Sequence, residues 1–210
     1  MDALMALPWL SIIVLSPLAA AALLIFIPGS SRGAVRMVAA SSTVVSFFGS
    51  LLVAYNYDLQ EGGYQFQHGF DLVPSMGISY SMGVDGWGVS LLLLTSIIIF
   101  AGTFATWTLE DRDKEFYVLL LALVAGVFGV FVSLDLFVFF LFYEIAVLPM
   151  YLLIGVWGST KKVAEAGPFR FIFRMMDIGG REYAAMKLTL MLLLGSAFIL
   201  AGILGMYVAN

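Results

Sequence analysis

The chain has 210 residues, 62% hydrophobic and only 11% charged, with a net charge of −4 and a mean hydropathy of +1.03. Soluble domains carry about 25% charged residues, so a fold surrounded by water would lack the residues to cover its surface, and the bilayer is the solvent this composition suits. No cysteine is present, which excludes a disulfide framework and a thiolate metal site.

A membrane-spanning helix needs roughly 20 apolar residues. Such runs are predicted at about 8–28, 37–55, 87–107, 116–133, 136–157 and 186–208. The expected fold class is therefore all-α: a polytopic membrane protein with six transmembrane helices in a single transmembrane domain over 1–210. The first run has no cationic flank, since Asp2 is the only charge before Arg32, and it is longer than a signal-peptide core; it reads as a retained helix. Between the second and third runs lies a polar, Gly-rich, acidic loop. Its alternation around Tyr64–Phe70 and Ile78–Met82 predicts a short hairpin. His68, the only histidine, sits there, and a lone loop histidine reads as solvated. The 158–187 loop holds PFRFIFRMMDIGG, in which Arg170, Arg174 and Asp177 share a narrow face among Phe and Met residues; this predicts a short interfacial helix over 168–178.

All ten Lys and Arg residues fall in or beside alternate loops: Arg32 and Arg36, then Arg112 and Lys114, then Lys161, Lys162, Arg170, Arg174, Arg181 and Lys187. By the positive-inside rule those loops are cytoplasmic and both chain ends face the external side. Trp9, Trp87, Trp107 and Trp157, near span ends, read as interface anchors.

Within LFVFFLFYEIAVLPMYLLIGVWG, the only charge is Glu144. It lies eight residues into the span, ~12 Å deep, too far for a short side chain to reach water. An intramembrane carboxylate costs roughly 2.5–3.5 kcal/mol at the centre on insertion scales. Two readings stand: a hydrogen-bonded interhelical clasp, or a proton carrier governed by burial and a nearby cation. Pro149 frees a backbone carbonyl beside it. Asp135, at the outer mouth, is nine residues away and on the opposite helix face, so the two carboxylates do not form a pair. Lys187, at the start of the sixth run, is too far along the axis to meet Glu144. Ala122, Gly126 and Gly129, and likewise Gly195, Gly202 and Gly205, are small residues spaced for close helix packing. No nucleotide or metal motif is present, and no span carries a histidine for haem.

FYEIAVLPMYLLIGVWG (Phe142–Gly158), GVDGWGVSLLLLT (Gly83–Thr95) and REYAAMKLTLMLLLGS (Arg181–Ser196) resemble the fifth helix, the third-helix entry and the sixth helix of the antiporter-like membrane subunits of proton-pumping NADH:quinone oxidoreductase (respiratory complex I), above all the subunit M or chain 4 type. The resemblance runs along essentially the whole chain. It implies inverted helical repeats with broken helices and a buried chain of Lys and Glu groups. In that scheme Glu144 is a proton relay, paired with a lysine on a later broken helix. It further implies no flavin, iron–sulfur cluster or quinone on this chain and no direct NADH site. The expected partners are neighbouring membrane subunits and the lipid bilayer, with no nucleic acid, in a bacterial inner membrane. Because that lysine and the second repeat have no counterpart before Asn210, the chain is expected to be the N-terminal part of a larger subunit. An Mrp-type cation/proton antiporter subunit, a membrane-bound hydrogenase subunit and a non-pumping structural module are the alternatives.

Overall fold

A computed structural model describes residues 7–109, 111–159 and 180–209. They form α1 (Trp9–Phe26), α2 (Arg32–Asn56), β1 (Gln65–Val73), a 3-10 turn at Pro74–Met76, β2 (Ile78–Val84), α3 (Gly86–Ala105), α4 (Asp113–Val132), α5 (Leu136–Trp157) and α6 (Arg181–Ala209). All six helices are long and apolar enough to cross a membrane. Each covers most of a predicted span. The clearest differences are at the starts of α2 and α6, which begin at cations, Arg32 and Arg181, that the sequence reading placed in loops. A hydropathy run stops at the first charge, but the backbone helix does not, because Arg and Lys stems stay apolar while their heads reach water. The expected interfacial helix at 168–178 lies outside the described residues.

The chain divides into two compact units, Met1–Ala146 and Val147–Asn210. In the first, two cores record an alternating up-and-down path. One combines the start of α1 (Leu10, Ile13, Val14), the end of α2 (Val53), β2 (Met82, Val84), the start of α3 (Val89, Leu92), the end of α4 (Phe128, Val132) and the start of α5 (Val138, Phe142). The other combines the end of α1 (Ala20, Ala21, Leu24) with the starts of α2 (Val35, Ala39) and α4 (Tyr117, Leu121). Starts of odd helices thus meet ends of even ones, which is what spans threaded alternately up and down require.

The hairpin adds an antiparallel β pair at the first of these ends, refining the all-α expectation with the short hairpin the loop's alternation predicts. Its turn closes on Gly77, whose φ of +68 is left-handed and suits a residue without Cβ. Gly69 has no room for a side chain against the Tyr80 backbone of β2. The hairpin is fastened to the helices by backbone: Leu134 N–H donates to Ser81 O at 2.9 Å.

With no water in the hydrocarbon core, every polar group in a span needs an internal partner. Pro17 sits inside α1, has no N–H, and leaves the Ile13 carbonyl without its helical donor. Ser46 of α2 supplies one: its hydroxyl donates to Ile13 O at 3.2 Å and lies 3.1 Å from Ser16 Oγ. Close approach is possible because Gly49, three residues on, leaves space for Ile13, whose Cγ1 would be 2.8 Å from an added Cβ. Ser46→Ala should lower the thermal stability of the protein in detergent by an amount equivalent to ~1 kcal/mol, with Ser46→Thr closer to wild type. An unchanged midpoint in the alanine variant would mean that another donor reaches this carbonyl.

The second unit holds the end of α5 and α6. Arg181 donates to Val156 O at 2.7 Å. Of the 29 residues of α6, Ala185 and Ser196 alone are buried. Nothing described lies within 4 Å of a Cβ built at Gly195, Gly202 or Gly205, so these three glycines meet no described neighbour, in contrast to the packing role their spacing predicts.

Candidate functional site

α5 starts sharply because Asp135 caps it. Its Oδ1 accepts from the N–H groups of Phe137 and Val138, at 2.8 and 3.0 Å, and its Oδ2 accepts from Ser79 N of β2 at 3.1 Å. A carboxylate at a helix N-terminus satisfies free donors and meets the favourable end of the helix dipole. The sequence reading left Asp135 at a wet mouth; the structure makes it the joint between hairpin and helix. Ser133 adds a hydroxyl bond to the Asp135 carbonyl at 3.1 Å.

Nine residues beyond the cap, on the same helix, is Glu144. The residue is half-buried, and its Oε1 is fully buried with no hydrogen-bond partner among the described residues. Pro149 lies in the helix five residues on, so the carbonyl of Ile145, next to the acid, has no helical donor either. An apolar helix thus carries a carboxyl oxygen unmatched among the described residues beside a carbonyl that has lost its helical donor.

The helix is held by α4. A Cβ at Gly126 would sit 2.8 Å from Ala146 N and 2.9 Å from Phe142 O, and one at Gly129 would enter the Phe142 ring. Two of the three small residues predicted for packing on α4 therefore form a seam against Phe142 and Ala146. At 100° per residue, Glu144 falls on the side of α5 away from that seam. The seam fixes the backbone of α5 on one face, and Glu144 lies on the opposite one. A polar atom at least as buried as this normally has a partner, and an unpaired one is where ligands, water or mobile protons are to be sought.

His68 differs from its expectation. Its Nε2 is hydrogen-bonded to Ser11 Oγ on α1, and Ser11 Oγ also lies 2.9 Å from the Tyr80 hydroxyl. Its Nδ1 lies 3.3 Å from Phe66 O, and Phe66 adopts a left-handed φ of 56° where the register slips between Gln65 and His68. Burial pushes the Tyr80 hydroxyl above its usual pKa, opposed by the Ser11 hydrogen bond. This group ties the hairpin to the first span. Nothing local in the sequence links Ser11 to a histidine 57 residues away.

Comparison with known proteins bears on the same segment. Residues 133–179, which include Glu144, match the family described as NADH:quinone oxidoreductase/Mrp antiporter, transmembrane. Over 203 residues the chain is 36% identical to NADH-quinone oxidoreductase subunit M of Rhodobacter capsulatus, covering 94% of this chain and 35% of that protein. It is 34% identical over 200 residues to NAD(P)H-quinone oxidoreductase chain 4 2 of Thermosynechococcus vestitus, covering 95% and 34%. With the chloroplastic chain 4 of Chara vulgaris it shares 36% identity over 165 residues, covering 78% and 34%. The chain spans about a third of the length of these curated relatives.

Proposed function

We propose, since this chain belongs to the NADH:quinone oxidoreductase/Mrp antiporter membrane family, that it forms part of a proton-translocating subunit in the membrane arm of a respiratory NADH:quinone oxidoreductase. The observation that carries the reading is Glu144: a carboxyl oxygen buried within an apolar span and without a partner among the described residues. A carboxyl with a free oxygen can pass a proton to a neighbouring base and take one back, and an ionisable group inside a membrane span is a functional site by default. Asp135 and the Gly126 seam position the helix; Glu144 carries the proton. Oxidation of NADH and reduction of quinone occur on other subunits, and the energy arrives here as shifts in the charges around Glu144. The chain corresponds to about a third of the length of these relatives, and a cation brought close to Glu144 would complete the relay.

Affinity purification of this chain from its native membrane tests the assignment. NADH:quinone reductase activity should co-purify. Recovery with hydrogenase activity, or with sodium/proton exchange and no NADH oxidation, would instead assign it to a hydrogenase or an Mrp-type antiporter. The distribution of cations supports a cytoplasmic position for the α1–α2, α3–α4 and α5–α6 connections and external chain ends in a bacterial inner membrane. In intact cells, an impermeant maleimide should therefore label a cysteine introduced at Glu61 and not one at Gly33; the reverse pattern would invert the topology.

A further inference from the structure

α6 carries an open groove of ≈ 340 Å³ lined by Tyr183, Met186, Lys187, Leu190, Met191 and Leu194. We infer that this groove holds an anionic phospholipid, with its phosphate on Lys187 and an acyl chain along Leu190, Met191 and Leu194. Tyr183, Lys187, Leu190 and Leu194 follow one another at four, three and four residues, which keeps them on one face of the helix. The groove is polar at one end and apolar at the other. Lys187 is exposed, and its ammonium makes no hydrogen bond or ion pair with the described residues. Glu182, the acid nearest in sequence, is ~140° around the helix from it, outside the groove. Tyr183, one turn nearer the helix start, places a phenol hydroxyl where it can donate to the same phosphate. From Lys187 to Leu194 the helix rises ~10 Å, a length matched by the upper half of an acyl chain.

Charge complementarity selects the occupant. An ammonium with no partner among the described residues, set among Met and Leu side chains at the membrane boundary, is stabilised by a counter-anion, and a phospholipid brings the anion and the apolar tail together. The positive-inside reading puts this end of α6 at the cytoplasmic leaflet, where anionic lipids give each Lys or Arg about 1 kcal/mol of attraction. A second copy of the chain or a further helix would cover the apolar part and leave the cation to find its own acid.

The test is lipid retention by the purified chain. The protein is delipidated in neutral detergent, then offered phosphatidylglycerol or phosphatidylcholine in mixed micelles, and bound lipid is counted by native mass spectrometry. Wild type should retain phosphatidylglycerol about fivefold better than phosphatidylcholine, and Lys187→Gln should abolish the preference. Lys187→Arg should keep it, as should Arg112→Gln, a cation exposed on the start of α4. Circular dichroism of each variant separates lost binding from lost folding, and the conservative arginine variant keeps the test decisive if the glutamine variant misfolds. Equal retention of both lipids, preference surviving in Lys187→Gln, displacement by inorganic phosphate alone, or pairing of two chains in place of lipid would each overturn the inference.

Discussion

Glu144→Gln should abolish most NADH-driven proton uptake in membrane vesicles while leaving the assembled complex at its normal level. Glutamine keeps the length, the volume and the capacity for hydrogen bonds, and removes only the titrating proton. Because Oε1 has no partner among the described residues, the substitution removes no hydrogen bond described there, so the change should be nearly silent in assembly. The expected drop in pumping is about tenfold or more, since a positioned proton-transfer group contributes at least that much. Glu144→Asp should retain part of the activity: the carboxylate survives ~1.5 Å short, a gap one bridging water can span. Pumping and NADH:quinone reduction must be measured side by side with the amount of complex. Normal pumping by Glu144→Gln would make the acid a structural clasp. Loss of assembly in both variants would place it in packing, against its unpartnered oxygen.

Glu144 was legible in the sequence because a membrane span exposes a charge by contrast: one carboxylate in 23 apolar residues needs no partner list to be noticed. The spans were legible for the same reason. Other features were not legible, and the cause differs in each case. Ser46 answers Pro17 across 33 residues of sequence to the Ile13 carbonyl, and a serine in an apolar helix carries no mark of what it bonds. Ser11, His68 and Tyr80 meet only because the hairpin folds down on α1. Asp135 carried a local signal, an acid immediately before an apolar run; its third bond, to Ser79, required the tertiary fold. Small-residue spacing was read identically at Gly126 and Gly129 and at Gly195, Gly202 and Gly205, yet only the first pair has a described neighbour. Spacing states that a helix can be approached closely; it does not state from which side anything comes.

The glycines of α4 give the second large expected effect, because they differ in what blocks them. At Gly126 an added methyl meets backbone atoms, Ala146 N and Phe142 O, and backbone inside a helix cannot turn aside. The two helices must separate by several tenths of an ångström, and overpacking of this kind costs about 1–3 kcal/mol. At Gly129 the obstacle is the Phe142 ring, a side chain with an alternative rotamer. At Gly102 of α3 nothing lies within 4 Å, so alanine there should be neutral or stabilising by up to ~1 kcal/mol through helix propensity. The expected order of thermal stability in detergent is therefore Gly102→Ala at or above wild type, then Gly129→Ala, with Gly126→Ala lowest. Phe142→Leu combined with Gly129→Ala should recover part of the loss and should do nothing for Gly126→Ala, because the first clash is with a ring and the second with a backbone. The same displacement moves the helix that carries Glu144, so Gly126→Ala complex that does assemble should pump less than its amount predicts. Wild-type stability in Gly126→Ala would show that α4 and α5 do not meet at this seam, and with it would go the argument that one face of α5 is clamped so that the other can present the acid.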